Sequence, residues 1–243
     1  MTPYYEILYT PQAEDVDAGG QLTPEKLLYL AQEAAGEHCR LLGADREALL
    51  PKRLFWAVIR HRVQITSLPR LGQPIRVRTW PLPTTRTAYP RATAAYDESG
   101  NLLFRVISLW VLMDMDTRAM ILPGKSGVEV TGSLLGGELS APGAIGLLAD
   151  GTLSMGQVTE SDLDRNGHMN NCRCLGWTAQ LLPNQMANCR EFTVCYYSEA
   201  FSGELLQLKY APLESGTIQV DAVRTGTEMS AGHSRVFSLK LLF

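Results

Sequence analysis

Asp162-Leu-Asp-Arg-Asn-Gly-His-Met-Asn-Asn171 is the stretch from which the architecture of the whole chain can be inferred. It contains two carboxylates, three carboxamides and one imidazole, with Gly167 near its middle, and an apolar-periodic segment from Cys172 to Leu182 follows it. This pattern predicts a loop that runs into the start of a helix. The first N–H groups of a helix lack intrahelical acceptors, so such a loop can polarise a carbonyl or hold an anion.

The same pattern occurs earlier in the chain, which indicates an internal duplication. Asp15-Val-Asp-Ala-Gly-Gly-Gln-Leu22 aligns with residues 162–169 at an offset of 147 residues. Each copy is followed by a predicted helix and then by alternating apolar and polar residues, which is the pattern of strands. Two shorter matches keep the same order downstream: Leu71-Gly-Gln73 with Ser202-Gly-Glu204, and Ile107-Ser-Leu109 with Phe237-Ser-Leu239.

Each half is predicted to be an α+β unit in which a sheet wraps one long helix. Thr23 as N-cap, Pro24 at the first helical position and Gly43 as the stop define the first helix. The Gly-, Ser- and Pro-rich stretch 126–150 is predicted to link a first domain, residues 1–125, to a second, residues 151–243. The predicted strands cover residues 4–8, 55–67, 74–80, 88–96 and 102–113 of the first half, and 191–198, 205–211, 217–224 and 233–242 of the second.

Composition is that of an ordinary globular protein. The chain has 243 residues, 45% of them hydrophobic and 19% charged, which is enough for one large domain or two small ones. No apolar run approaches the roughly 18 residues of a membrane span, and the N-terminus lacks the features of a targeting peptide, so a cytoplasmic location is expected. The five cysteines are an odd number without zinc-type spacing, so free thiols and no metal site are expected.

Positive charge is concentrated in one segment, although the net charge of the chain is only −3. Residues 46–91 contain ten Arg or Lys and a single acid. Two interpretations stay open at this point. Arg60, Arg62, Arg76 and Arg78 alternate with apolar residues at a period of two, so they can form a solvated strand face, or they can form a landing surface for an acidic partner.

Four polar residues of the second half are the candidates for chemistry: Asp164, Asn166, His168 and Glu199. A carboxylate and an imidazole can deprotonate and orient a water molecule, and a carboxamide can donate to a developing oxyanion. The alternative is that Asp164 and Asn166 only cap the helix and His168 satisfies a buried group. The duplication favours chemistry, because the first copy keeps Asp17 but has Gly19, Gln21 and Leu68 at the other three positions.

Other motif interpretations fail. Asp162, Asp164, Asn166 and Gly167 imitate the opening of a calcium-binding EF-hand loop, but the position that requires a bidentate Glu is Arg173. Gly124-Lys-Ser imitates the end of a phosphate-binding loop, yet it lacks the earlier glycine. The sequence also contains no G-x-S-x-G nucleophile elbow, so a covalent serine mechanism has little support.

The second-half loop resembles the signature of the acyl-ACP thioesterases, a family known from plant plastids and from bacteria. That signature is a D-x-N-x-H loop followed by two asparagines and a helix that carries an aromatic residue. This chain has Asp164-Arg-Asn-Gly-His-Met-Asn-Asn171 and then Trp177, with Glu199 before a turn further on. Residues 54–60 and 108–113 are also similar to family segments, so the resemblance covers nearly the whole chain.

The resemblance implies a tandem hotdog fold, with two long helices each wrapped by an antiparallel sheet, and hydrolysis of the thioester between a fatty acyl chain and acyl carrier protein. It assigns Asp164, Asn166, His168 and Glu199 to water activation and carbonyl orientation, with no cofactor. Ala200 stands where plant relatives carry a cysteine, which favours attack by water. The carrier is acidic, which favours docking on Arg60, Arg62, Arg76 and Arg78, and the acyl pocket is expected beside the first helix, at Leu30, Ala34, Ala57 and Ile59.

Three alternatives remain at the level of sequence: an acyl-CoA thioesterase, an enoyl hydratase of the same fold, and a non-catalytic acyl-binding module. The hydratase family expects Pro after the Asn, where this chain has Gly167. No nucleic-acid partner is expected. Because a duplicated chain already supplies the pairing that single hotdogs obtain by dimerising, either a monomer or a homodimer is compatible with the sequence.

Overall fold

In the computed structural model the chain forms two units, Met1–Pro142 and Gly143–Phe243. The segment 126–150, predicted as a linker, is therefore shared between the two units. No helix in the described part of the chain is both long and apolar enough to cross a membrane. The structure describes residues 3–183, 185–225 and 234–243.

The first unit consists of one long helix, two short helices and an antiparallel sheet in the strand order β1-β3-β4-β5-β2, with β6 paired to β5. The helices are α1 (Pro24–Leu41), α2 (Arg46–Leu49) and α3 (Pro123–Ser126). The strands are β1 (Tyr5–Tyr9), β2 (Leu54–Ile65), β3 (Ile75–Pro81), β4 (Tyr89–Tyr96), β5 (Leu102–Asp114) and β6 (Met120–Ile121).

Helix α1 begins and ends as its sequence predicts. The Thr23 hydroxyl accepts a hydrogen bond from the Lys26 backbone N–H at 3.2 Å, and Gly43, just beyond the helix, has a φ of +66°. One face of helix α1 is buried and contacts strand β3 of the sheet. Burying each leucine side chain on this face contributes about 1.5–3 kcal/mol to stability. The buried residues include Leu27, Leu28, Leu30, Ala31, Ala34, Ala35 and His38.

The second unit repeats this plan with a shorter helix. Helix α4 (Arg173–Leu181) has nine residues against eighteen in α1, so the expectation of a second long helix is wrong. Pro183 follows directly after its C-cap and cannot continue a helix. The strands are β7 (Thr152–Gln157), β8 (Glu191–Tyr196), β9 (Leu205–Pro212), β10 (Thr217–Arg224) and β11 (Arg235–Leu242), in the order β7-β9-β10-β11-β8.

Each unit is a helix packed on an antiparallel sheet, so the α+β tandem hotdog expected from the sequence is confirmed. Equivalent strands stand in equivalent places in the two sheets, from β1 and β7 at one end to β2 and β8 at the other. The predicted strand 233–242 is found as β11, and His233 lies outside the described residues.

One part of the sequence alignment between the halves is wrong. The carbonyl of Leu103 accepts hydrogen bonds from the N–H groups of residues 66 and 67, and the carbonyl of Val236 accepts them from residues 197 and 198. Phe104, and not Ile107, is therefore the residue of the first unit that corresponds to Phe237. Ile107 packs with Trp80 on the sheet face away from α1, and a shift of three residues reverses the face on which a strand side chain points.

Two buried histidines make the stability of the fold depend on pH. Burial, and then the charge of Arg91, lowers the pKa of His38 to about 4, and burial lowers the pKa of His61 to about 3. The His61 Nδ1 atom lies 2.8 Å from the Ser108 hydroxyl. Both imidazoles are therefore neutral in the folded protein at neutral pH.

We predict that the free energy of unfolding decreases as the pH falls from 7 to 5. In the unfolded chain a histidine binds its proton near pH 6.5, whereas the folded chain keeps His38 and His61 neutral to lower pH. The stability they contribute is thus present above pH 6.5 and is lost below it, by about 1.4 kcal/mol per pH unit for each histidine. Urea denaturation at pH 7, 6 and 5 measures this slope. His61→Gln is expected to reduce it, and an unchanged slope in that variant would contradict the assignment.

Candidate active site

A tight turn holds the predicted catalytic loop of the second unit. The Asp164 carboxylate accepts the backbone N–H of Asn166 at 2.7 Å, and the Asp164 carbonyl accepts that of Gly167 at 3.1 Å. Gly167 has a φ of +80°, a conformation in which a Cβ atom is strained. The turn precedes the helix by several residues, because α4 begins only at Arg173. Asp164 therefore caps a turn and not a helix.

A bridge between two backbone segments brings Glu199 to this loop. The Met169 N–H donates to the Ala200 carbonyl at 2.7 Å, and His168 pairs with Phe201 as an isolated antiparallel bridge. The chain segment that follows β8 is thereby fixed beside the loop. Glu199, the residue before this bridge, consequently faces the His168 side chain.

The imidazole of His168 lies between two carboxylates. Its Nδ1 atom is 3.5 Å from Asp164 Oδ2, and its Nε2 atom is 3.3 Å from Glu199 Oε1. The side chain of Glu199 is 33% exposed, that of Asp164 26% and that of His168 18%, so a substrate can reach the carboxylate of Glu199 most readily. The Phe201 ring meets the imidazole edge to face at 6.3 Å between ring centroids.

Asn166 completes the group. Its side-chain Nδ2 atom lies 3.4 Å from Asp164 Oδ2, and the residue is exposed. The second N–H of this amide can donate to a substrate carbonyl. The structure thus brings all four predicted residues together: Asp164, Asn166, His168 and Glu199.

The first unit contains the same turn and bridge without the reactive groups. The Asp17 carboxylate accepts the N–H groups of Gly19 and Gln21 at 2.8 and 3.0 Å. The Leu22 N–H donates to the Pro69 carbonyl at 2.8 Å, as the Met169 N–H does to Ala200. Gln21 and Leu68 therefore occupy the positions of His168 and Glu199.

Asp162 belongs to the framework of the loop. It is buried, and its carboxylate accepts hydrogen bonds from Thr159, from Arg173 Nε at 2.9 Å and from Trp177 Nε1 at 3.2 Å. These contacts use the oxygens that an EF-hand would offer to calcium. In the first unit Asp15 is likewise buried and pairs with Lys26 at 3.1 Å. Among the described residues, no cluster of three or more His, Cys, Asp or Glu could hold a metal ion.

Arg224 is a residue near the site that the sequence pattern does not single out. It lies in β10 and donates to the backbone carbonyl of Glu199, to the Ser198 hydroxyl at 2.7 Å and to the Glu204 carboxylate at 3.1 Å. It therefore anchors the backbone that carries Glu199. No local signal in the sequence points to it, because the contact joins residues that are 25 positions apart.

The four arginines predicted for docking lie on one sheet face of the first unit but have different contacts. Arg60 donates to the Pro142 carbonyl at 3.3 Å, and Arg62 donates to the Ser140 hydroxyl at 2.6 Å. Both thereby hold the end of the first unit's chain against its sheet. Arg78 pairs with Glu6 at 2.9 Å. The side chain of Arg76 has no hydrogen-bond or ion-pair partner among the residues described in the structure.

The predicted acyl-pocket residues are absent from the lining of a cavity that lies beside α1 in the first unit. Leu30 and Ala34 are fully buried in α1, and Ala57 and Ile59 are partly buried in β2. The cavity has a volume of about 160 Å³ and lies beside the C-terminal half of α1. Its lining includes Gln32, Ala35, Gly36, Cys39, Trp56, Tyr89, Arg91 and Trp110.

Comparison with protein families gives two matches that together span most of the chain. The model of the acyl-ACP thioesterase N-terminal domain matches residues 4–122. The model of the acyl-ACP thioesterase C-terminal domain matches residues 149–233. The order of the two matches follows the order of the two units.

Relatives in sequence include chloroplastic enzymes of plants. The chain is 25% identical over 233 residues to a palmitoyl-acyl carrier protein thioesterase of Gossypium hirsutum, a match covering 86% of this chain and 55% of that protein. It is 24% identical over 196 residues to a palmitoyl-acyl carrier protein thioesterase of Arabidopsis thaliana, covering 72% of this chain and 46% of the relative. The chain thus spans about half the length of the curated relatives it matches.

Solved structures with the same fold extend over the full chain. An acyl-ACP thioesterase from Bacteroides thetaiotaomicron superposes with a TM-score of 0.89 at 21% identity, covering 99% of this chain and 98% of that one. A 12:0-ACP thioesterase from Umbellularia californica superposes with a TM-score of 0.80 at 19% identity, covering 100% and 97% of the two chains. Both comparisons support the fold described above.

We predict that Asp162→Asn and Asp15→Asn destabilise the protein to a similar degree, by about 1–3 kcal/mol each, because each removes a buried hydrogen-bonded carboxylate. Thermal and urea denaturation measure the loss. Asp116→Asn is the matched control, since its ion pair with Arg53 is more than half exposed and contributes little. A stable Asp162→Asn variant would contradict the structural role of that carboxylate.

Proposed function

Because the chain belongs to the acyl-ACP thioesterase family, we propose that it hydrolyses the thioester between a fatty acyl group and acyl carrier protein. The observation that carries this proposal is the position of the His168 imidazole between Asp164 and Glu199. The equivalent positions of the first unit are occupied by Gln21 and Leu68, so the fold itself does not require this arrangement. The acyl carrier protein is the proposed partner.

The internal comparison separates the roles of the two carboxylates. Asp164 fixes the turn, as Asp17 does in the first unit, and it contacts one side of the imidazole. The position equivalent to Glu199 in the first unit is occupied by Leu68, so the fold does not require a carboxylate there. Glu199 is therefore the proposed general base, and His168 orients its carboxylate.

In the proposed reaction a water molecule gives its proton to Glu199 while its oxygen attacks the thioester carbonyl carbon. The amide of Asn166 donates to the carbonyl oxygen, on which negative charge develops. The tetrahedral intermediate then breaks its C–S bond, and the departing thiolate takes the proton from Glu199. The products are a fatty acid and the free thiol of the carrier, and the glutamate is ready for another cycle.

The carrier-docking surface stays a prediction for Arg60, Arg62, Arg76 and Arg78. Arg76 has the strongest support, because its charge has no partner among the described side chains, whereas Arg60 and Arg62 hold backbone of their own unit. An acidic carrier would gain both attraction and faster association from an unpaired positive charge.

Three further assignments stay predictions. The acyl pocket is predicted to be formed by Leu30, Ala34, Ala57 and Ile59. The oligomeric state is predicted to be a monomer or a homodimer. A cytoplasmic location is supported by the five free cysteines, since reducing compartments keep thiols unpaired.

We predict that His168→Ala, Asp164→Ala and Glu199→Gln each lower the rate of thioester hydrolysis by about a hundredfold or more, the usual contribution of a general acid–base group. Release of free thiol from acyl carrier protein substrates measures the rate. The first unit offers matched controls, Gln21→Ala and Asp17→Ala, which change equivalent positions and are expected to keep the wild-type rate.

Three outcomes of this experiment would overturn the proposal. Turnover like that of wild type in Glu199→Gln would remove the assigned base. Addition of water to an unsaturated acyl group without thiol release would identify a hydratase. Retention of the acyl carrier without any turnover would identify a binding module.

We also predict that Arg76→Glu raises KM for carrier-protein substrates more than KM for the matching coenzyme A substrates, and that the difference grows at low salt. The exposed Arg190 lies outside the basic segment, so Arg190→Glu is the charge-matched control. Equal effects of Arg76→Glu on both carriers would exclude docking at this position.

A further inference from the structure

The cavity beside α1 contains a buried cation that has no carboxylate partner among the residues described in the structure. Arg91 is only 4% exposed and lines the cavity. Its guanidinium donates to neutral acceptors, namely His38 Nδ1 at 3.1 Å, the Thr79 hydroxyl at 3.4 Å and the Cys39 sulfur at 3.6 Å. A guanidinium has five N–H donors, so these contacts leave two of them available.

The groups around Arg91 are uncharged at neutral pH. Burial, and then the charge of Arg91, lowers the pKa of His38 to about 4, and burial raises the pKa of the Cys39 thiol. Burial also lowers the pKa of Arg91, but an arginine stays charged at neutral pH. The other charged residues of the lining are Asp45 and Arg46, one of each sign. The lining therefore carries a net positive charge of one, and Arg91 has no ion pair among the described residues.

Two further donors in the same lining have no acceptor. The Gln32 Nε2 and Trp110 Nε1 atoms are buried without a hydrogen-bond partner in the described structure. Each unpaired buried donor costs roughly 1–3 kcal/mol. Gln32 and Trp110 therefore share an unmet demand for acceptor oxygens, and Arg91 of the same lining has N–H groups left to donate.

The duplication shows that the fold does not require this arrangement. His61 in β2 pairs with Ser108 in β5, and Ser108 pairs in turn with Arg91. At the equivalent place in the second unit Phe192 pairs with Leu241, and Leu241 pairs with Ile218. The same sheet position thus accepts apolar side chains, which avoid the cost of burying a charge. The requirements of the fold therefore do not explain why the charged side chain of Arg91 is buried at this position.

We propose that this cavity binds a small organic carboxylate with an apolar body of about six carbons. The carboxylate group of this ligand contacts Arg91, Gln32 and Trp110. The size follows from the volume of about 160 Å³, since a cavity of roughly 150 Å³ accommodates benzene. The apolar body contacts Ala35, Pro81 and Pro90 of the lining. The inference concerns the first unit alone and does not depend on thioester hydrolysis.

Isothermal titration calorimetry of the full chain with hexanoate and benzoate tests the site. Hexan-1-ol and benzyl alcohol are the matched neutral ligands. We expect saturable binding of the carboxylates, with the alcohols weaker by about tenfold or more, because a charge-assisted hydrogen bond is lost. Arg91→Met is expected to weaken carboxylate binding by about tenfold or more, and to preserve or raise Tm, since it removes a buried charge.

Control variants separate this site from others. Arg76→Met removes an arginine from the opposite face of the same sheet, and His168→Ala changes the second unit, so both are expected to bind the carboxylates as wild type does. Trp110→Phe and Gln32→Leu each remove one donor and are expected to weaken binding several-fold. These two variants decide the question if Arg91→Met does not fold.

Three results would overturn the proposal. The first is the absence of saturable carboxylate binding at millimolar concentrations. The second is equal affinity for carboxylates and alcohols, which would make the cavity a plain apolar pocket. The third is unchanged carboxylate affinity in Arg91→Met, or in both Trp110→Phe and Gln32→Leu. Because no thioester is present, failure of the proposed hydrolase function leaves this result unaffected.

Discussion

The hydrogen bond from the Met169 N–H to the Ala200 carbonyl, at 2.7 Å, connects the two segments on which the site is built. The segments lie about thirty residues apart in sequence and are separated by α4 and β8. Because backbone geometry fixes the distance across such a bridge, the side chains beside it are fixed as well. His168 and Glu199 occupy these flanking positions, so their approach to 3.3 Å follows from the bridge.

The same bridge in the first unit, from the Leu22 N–H to the Pro69 carbonyl, shows that it belongs to the fold and not to the chemistry. The two units therefore share this turn and bridge and differ in the two side chains that flank it. The first unit has Gln21 and Leu68 at these places. Leu68 is buried, which suits a structural copy, whereas Glu199 is a third exposed, which suits a group that meets a substrate.

The two units use charge in different ways. In the second, the buried Asp221 is met by Arg235 at 3.3 Å and by the backbone N–H of Leu148 at 2.7 Å, so its charge is compensated within the unit. In the first, Arg91 is buried beside neutral acceptors only. A buried charge without an opposite charge is expensive, and it persists where the surrounding structure holds it in place. This contrast is the physical basis for assigning a ligand to the first unit's cavity.

Features that depend on neighbouring residues can be predicted from the amino-acid sequence. Thr23 and Pro24 place the start of α1, Asp164 and Gly167 specify the turn, and comparison of the copies singles out Glu199, because caps and turns are local and a repeat exposes the residues that differ. Folding sets the features that depend on contacts between residues distant in sequence. It brought Glu199 to His168, engaged Arg60 with the carbonyl of Pro142, matched Phe237 to Phe104, and placed Arg91 in a cavity. Strand register and the partners of long side chains are set by packing across the whole unit, and no short stretch of sequence encodes them.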